Sequence, residues 1–331
     1  MATKEDDVVT TLFVANTHTH LLFFTTDGMV YKLKCWRLPL AGRTAKGKAL
    51  VNILPIDTGV SIAALMPVDV PEEEWASLQI VFATSDGDVR QNDLSDFTNV
   101  KRNGKIAMNL PEGVTLVNAA IADENDDVML VTAGGRAIRF PTTDIRVFKS
   151  RGSTGVRGIR LGEGDAVVSM AIIRHFEATP EEREAYLKQR RLMAGAVEDD
   201  AEADEDEEAV DAGQLSPERY AEMSAAEDLI LTITAKGTGK LSSSHGYPVR
   251  GRGGMGVKAM DGAMRGGALV ASFPVEMSDQ IMLATSTGQS IRVPVDQISF
   301  RSRSAGGVKV FSVGEGEEVV SVARVAEQGD E

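Results

Sequence analysis

The chain has 331 residues, with 49 acidic and 35 basic side chains giving a formal net charge of −14, and it holds 32 glycines and one cysteine. The lone Cys35 excludes an intrachain disulfide framework and reads as a small buried residue in a reducing compartment. No basic leader followed by an apolar stretch, and no apolar run of about 18 residues, is present, so a soluble cytoplasmic protein without a membrane partner is expected.

The first predicted element is a hairpin, LLFFTTDGMVYK, in which an apolar strand reaches a turn closed by Gly28 and the second strand carries Lys32. The same signal returns as IVFATSDGDVR, MLVTAGGRAIR, ILTITAKGTGK and IMLATSTGQSIR, with turn glycines Gly87, Gly135, Gly237 and Gly288. Arg90, Arg139, Lys240 and Arg292 follow those glycines by three or four positions. Glycine suits such turns because it adopts positive φ without a steric penalty.

Behind each hairpin a second glycine opens a third strand, in GKALVNILPI, GKIAMNL, GVRGIRL, GVKAM and GVKVFSV, starting at Gly47, Gly104, Gly155, Gly256 and Gly307. The offsets between the two glycines are 19, 17, 20, 19 and 19 residues, too regular for coincidence. A fourth strand then follows in each repeat: VSIAALMPV, VTLVNAAI, DAVVSMAII, GALVASFPV and EEVVSVARV.

Successive turn glycines lie 59, 48, 102 and 51 residues apart, and the long interval contains an acidic stretch, 175–226, whose 52 residues account for the excess. Thr179-Pro180-Glu181-Glu182 and Ser216-Pro217 are helix-start signals, so two short helices are expected around the run Glu198 to Asp211, which has too little apolar surface to fold. Four short strands per unit of about fifty residues is the pattern of a propeller blade. The fold class read from it is all-β: a propeller-like array of about five four-stranded blades forming a single domain. The blades are placed at 9–70, 77–123, 127–174, 227–276 and 279–326, with 175–226 as a partly helical or disordered insertion.

The insertion also changes what the net charge means. It carries −11 of the −14, leaving 30 basic against 33 acidic residues elsewhere, so clustered cations can still form a positive surface. Four positions before the second glycine stand Arg43, Arg151, Arg252 and Arg303, while the second repeat offers Lys101 and Arg102 nearby. Lys48, Lys105, Arg157, Lys258 and Lys309 follow that glycine, and Lys46, Lys149, Arg250 and Arg301 flank the same loops. Together with Lys32 and Arg139, these residues make the candidate DNA-binding set, a belt of cations and loop N–H groups suited to a phosphate backbone. No interleaved aromatic platform for single strands is evident, so double-stranded DNA is the expected ligand.

Other motifs carry less. His18 and His20 form an HxH pair with too few further ligands for a metal site, and RGRGGMG neither follows a βαβ pattern nor opens a helix as a nucleotide loop would. No catalytic residue, metal or cofactor is expected in this chain.

The stretches VANTHTHLLFFTTDGMVYKLKCWRLP, KALVNILPI, TGVRGIRLGEGDAVVSM and DQIMLATSTGQSIRVPVDQIS resemble the C-terminal domain of bacterial DNA gyrase A. The resemblance implies a β-pinwheel whose blades exchange strands with their neighbours and bind bent DNA along a basic rim. It also implies partners, namely the remainder of gyrase A and gyrase B, in a type II topoisomerase near the nucleoid whose ATP and Mg sites lie outside this chain. Wrapped DNA would there be presented as a crossing for ATP-dependent negative supercoiling.

The family's first-blade box, Q-R-R-G-G-[KR]-G, has no intact copy here. Five repeats where the family often has six give the expectation of a monomeric fragment that starts after that blade. In VRGRGGMG, Arg250, Arg252, Gly253, Gly254 and Gly256 keep the register of the box, with Gly251 and Met255 where basic residues stand. The C-terminal DNA-binding domain of topoisomerase IV, a broken pinwheel with degenerate boxes, and a protein-binding propeller scaffold are the alternative readings.

Overall fold

A computed structural model of the chain describes residues 13–42, 45, 47–149, 152–193, 213–261 and 267–326. The acidic run Glu198 to Asp211 lies outside these residues, as do Arg43, Lys46 and Arg151. The strands are β1 (His20–Thr25), β2 (Met29–Lys34), β3 (Ile62–Val68), β4 (Gln79–Thr84), β5 (Asp88–Asp93), β6 (Lys105–Ile106), β7 (Leu116–Ala122), β8 (Asp126–Thr132), β9 (Arg136–Pro141), β10 (Val156–Arg157) and β11 (Val167–Arg174). After helices α1 (Pro180–Met193) and α2 (Pro217–Ala225) come β12 (Leu229–Thr234), β13 (Thr238–Ser243), β14 (Val257–Lys258), β15 (Leu269–Val275), β16 (Gln280–Thr285), β17 (Ser290–Pro294), β18 (Val308–Lys309) and β19 (Val319–Val325).

These strands form five antiparallel sheets, ordered β3-β1-β2-β6, β10-β5-β4-β7, β11-β8-β9-β14, β15-β12-β13-β18 and β17-β16-β19. The fold is all-β, in the β-pinwheel class. Each repeat supplies a hairpin and a long fourth strand to its own sheet, and its two-residue third strand crosses to the outer edge of the preceding repeat's hairpin. The first repeat differs, because its GKALVNILPI segment forms a 3-10 turn at Leu50–Asn52 where a strand was expected. A two-residue strand exists only against an acceptor edge, and no acceptor precedes it among the described residues.

Local chemistry explains why every hairpin closes alike. The five turn glycines have φ between 76° and 90°. Three residues earlier, Thr25, Thr84, Thr132, Thr234 and Thr285 each accept a hydrogen bond from the backbone N–H four positions on, at 3.1–3.3 Å. These threonines are buried, so each hydroxyl substitutes for water at a bulge where the strand ladder shifts register.

The chain divides into two compact units, one built on β1–β7 and β10, the other on β8, β9 and β11–β19. In the first, Phe24, Phe82 and Phe97 meet edge to face with centroids 5.4–5.8 Å apart, and the fully buried Trp75 donates its indole N–H to the Val70 carbonyl at 2.9 Å. Burying each such aromatic contributes about 2–3 kcal/mol, and burial on both sheet faces explains why β4 reads as an unbroken apolar run. In the second unit, Leu231, Ile233, Leu283 and Val319 anchor the equivalent core.

Both insertion helices begin where the sequence places them. Thr179 and Glu182 exchange side-chain-to-backbone bonds at 2.9 and 3.2 Å, a complete capping box, and Ser216 accepts from the Arg219 N–H at 3.2 Å. The helices dock on the turn Ser244–Gly246: Tyr186 meets His245 edge-on at 5.0 Å, Arg183 donates to the His245 carbonyl at 3.1 Å, and the His245 Nε2 lies 2.8 Å from the Met223 carbonyl. Burial holds the His245 pKa below its ordinary value. This turn leads into the loop that carries Arg250 and Arg252.

Candidate nucleic-acid interface

The glycine-rich loops are built by strand exchange. Phe148, Arg250 and Arg301 donate their backbone N–H to the carbonyls of Gln91, Arg139 and Leu241 at 2.7–2.8 Å, which starts each loop along the preceding repeat's second strand. The loop then arches over that strand and returns as β10, β14 or β18. At the crossing, Gly256 has a φ of 71°, and a Cβ there would strike the Ala137 carbonyl. Glycine is required because two backbones touch.

Among the described candidates, Lys48, Lys101, Arg102, Lys149 and Arg157 are exposed in the first unit. Arg250, Arg252 and Lys309 are exposed in the second. Arg157 Nε lies 3.1 Å from Asp88, whose burial raises its carboxyl pKa against the opposing pull of that guanidinium. Lys258 and Arg301 are half-buried, and Lys258 Nζ is 3.6 Å from Asp261.

Two residues expected on the surface are instead buried. Arg139 is 3% exposed; its Nε meets the buried Asp127 at 2.7 Å and its Nη atoms donate to the carbonyls of Ser244 and Arg174 at 2.9 and 3.0 Å. Arg303 is 6% exposed and donates to the carbonyls of Gly246, at 2.5 Å, and Lys258. Lys32 and Lys105 are also turned inward. Lys32 pairs with Glu72 at 2.5 Å and reaches the Thr98 carbonyl, and Lys105 Nζ donates to the Asp96 carbonyl at 2.6 Å.

Strand periodicity explains the inward turn of Lys105. In the exchanged strands, Lys105 occupies the position of Val156, Val257 and Val308, whereas Arg157, Lys258 and Lys309 match Ile106. One residue of slip reverses the face of the sheet. The cations after the turn glycines divide the same way: Lys32, Arg139 and Arg292 share one register, and Arg90 and Lys240 share the other with Tyr31 and Ile138. The glycine offsets of three and four residues already held that distinction. Arg160 was not singled out from the sequence, yet it is exposed and its N–H donates to the Gly254 carbonyl at 2.8 Å, beside Arg252.

The family model described as DNA gyrase C-terminal domain, beta-propeller, matches residues 19–69, 79–123, 126–174, 228–274 and 279–326. The chain belongs to that family. It is 48% identical to DNA gyrase A of Granulibacter bethesdensis over 98% of its own length and 36% of the relative's. Against DNA gyrase A of Escherichia coli K12 it is 33% identical, covering 99% of this chain and 31% of that one. It therefore spans about a third of the length of the curated relatives it matches.

Two solved structures share the fold. A DNA topoisomerase IV C-terminal domain aligns with a TM-score of 0.70 at 21% identity, over 94% of this chain and 80% of that one. A DNA gyrase A C-terminal domain gives 0.66 at 16%, over 96% and 90%.

Proposed function

We propose that this gyrase-family domain binds and bends double-stranded DNA through the phosphate backbone. As part of gyrase A it would present the wrapped segment for ATP-dependent supercoiling together with gyrase B. The five repeats would act as one domain, with 175–226 as an insertion. The observation that carries this reading is the recurrence of exposed cations on the exchanged glycine loops, Lys149 and Arg250 at one equivalent position and Arg157 and Lys309 at another, with Arg252 exposed beside them. Loops of this form offer backbone N–H groups and guanidinium forks to phosphate oxygens while reading no base sequence.

Smoothly bending 20–30 bp by 40–90° costs about 1–6 kcal/mol, so a longer wrap needs many distributed contacts. With about eight phosphates neutralised, log affinity should fall against log salt with a slope of about −7, and affinity should drop by about 10⁴ between 50 and 200 mM. Titrating a duplex of about 100 bp against salt tests this, and a slope shallower than about −2 would exclude a phosphate-backbone interface.

A further inference from the structure

Two fully buried cations lie beneath the glycine loops, and neither belongs to the exposed set. In the second strand of each hairpin, the residue after the one facing the exchanged strand is Tyr31, Arg90, Ile138 or Lys240 in the first four repeats. All four side chains are buried, and Arg90 and Lys240 are 0% exposed.

A cation taken out of water costs several kcal/mol unless dipoles replace its hydration. Here backbone carbonyls provide that replacement. Arg90 donates to Ser153 O at 2.8 Å and to Ala107 O. Lys240 donates to Ser302 O at 2.9 Å, Ala305 O at 2.6 Å and Arg303 O. Ser153 and the three partners of Lys240 all lie in the glycine loop of the following repeat, where it arches over the cation.

The peptide group is planar and trans, so a carbonyl drawn inward turns the N–H of the next residue outward. Beneath the fifth repeat's loop, the carbonyls of Ser302, Arg303 and Ala305 converge on one ammonium, which directs the N–H groups of Arg303, Ser304 and Gly306 away from it. Beneath the third repeat's loop, the Ser153 carbonyl does the same for the Thr154 N–H. These N–H groups fan outward from the ammonium, so each faces away from the core and is placed to donate to a separate phosphate oxygen. The other two repeats lack such a peg. Tyr31 donates its hydroxyl to Pro55 O at 3.1 Å with its ring against Gly104, and Ile138 presents a methyl to Gly254.

We propose that Lys240 and Arg90 are positioning residues for phosphate binding: from the preceding repeat, Lys240 draws three carbonyls of the next glycine loop inward and Arg90 draws one, and each so turns the N–H groups that follow outward toward the DNA backbone. This rests on the DNA-binding reading above. It divides the loops into two pegged by a buried cation, at 152–157 and 300–309, and two that are not.

The test uses the whole chain with Lys240→Met, which keeps the side chain's bulk and removes its charge, and Lys240→Arg, which restores it. Amide hydrogen exchange without DNA should speed up by about tenfold over 302–309 in K240M while β12 stays protected, and K240R should recover most of the protection. Affinity for a duplex of about 100 bp should fall by about fivefold, with a shallower salt slope. Unchanged exchange over 302–309 would overturn the positioning role, and faster exchange with unchanged DNA affinity would overturn its link to phosphate. If the unsubstituted chain shows no salt-dependent binding, the DNA reading fails while the exchange arm still judges the peg. Should K240M not fold, Arg90→Lys keeps the charge and loses the fork. Wild-type exchange over 152–158 in R90K would then count against the proposal, and acceleration of about threefold or more would support it.

Discussion

The loops of the fourth and fifth repeats, VRGRGGMGVK and RSRSAGGVK, share spacing and composition, yet Arg252 faces solvent and Arg303 is buried against the carbonyls of Gly246 and Lys258. The two loops also differ in what lies beneath them, Ile138 under one and Lys240 under the other. An ammonium that gathers three carbonyls pulls its loop down, whereas an isoleucine only fills space. The backbone of Arg303 is thus tied to a residue about sixty positions earlier in the chain, while its guanidinium is held by the carbonyls of Gly246 and Lys258.

The largest effect expected in this comparison comes from the crossing glycine. Gly256→Ala must hold an alanine at φ 71° and move the Ala137 carbonyl, so a loss of about 3 kcal/mol is expected by chemical denaturation. A loss below about 1 kcal/mol would mean that the fourth loop yields easily and that its contrast with the fifth is one of flexibility.

Next come the two arginines. Arg303→Ala should cost about 2 kcal/mol of stability, because buried carbonyls lose a charged donor, and should leave the salt slope of DNA binding unchanged. Arg252→Ala should leave stability within about 0.5 kcal/mol and reduce the slope by about 0.9. Equal slopes for the two variants would remove the distinction between a phosphate contact and a structural cation.

The smallest effect concerns the helices that dock on the turn leading into the fourth loop. The Arg219 hydrogen bond, with help from the Thr179 N–H, holds the Glu182 pKa below its ordinary value. A depressed folded-state pKa gives stability that is present above the ordinary glutamate value and lost as pH falls through the lowered one. Exchange protection of 180–193 should therefore weaken at acid pH below the ordinary glutamate range, and Glu182→Gln should abolish most of that dependence. Retained dependence in E182Q would place the titrating group elsewhere.

Much of the fold could be read from the sequence because it depends on glycines and apolar alternation, which are local. Gly28, Gly87, Gly135, Gly237 and Gly288 mark every hairpin, and the Thr179 and Ser216 caps mark both helices. The site was less legible. Whether Lys105 points out or in depends on one residue of register against a strand from the preceding repeat, a relation that a linear pattern does not display. The buried threonine three residues before each turn glycine is equally regular, yet its role is hidden in the sequence because a hydroxyl in a strand resembles ordinary β propensity.

Strand exchange also sets a schedule for synthesis. Because donation runs from a later repeat to an earlier one, a sheet growing off the ribosome keeps an open edge until the next hairpin and loop have been made. For the second sheet that delay is short, since Arg157 reaches Asp86 across 71 residues; for the third, Arg136 and Gly256 are 120 residues apart because the insertion intervenes. The added closure entropy is only about 0.5 kcal/mol. The added time, at 5–20 residues per second, is about 3–10 s in which the edge of β9 waits unpaired, long enough for a chaperone or a neighbouring nascent chain to find it first.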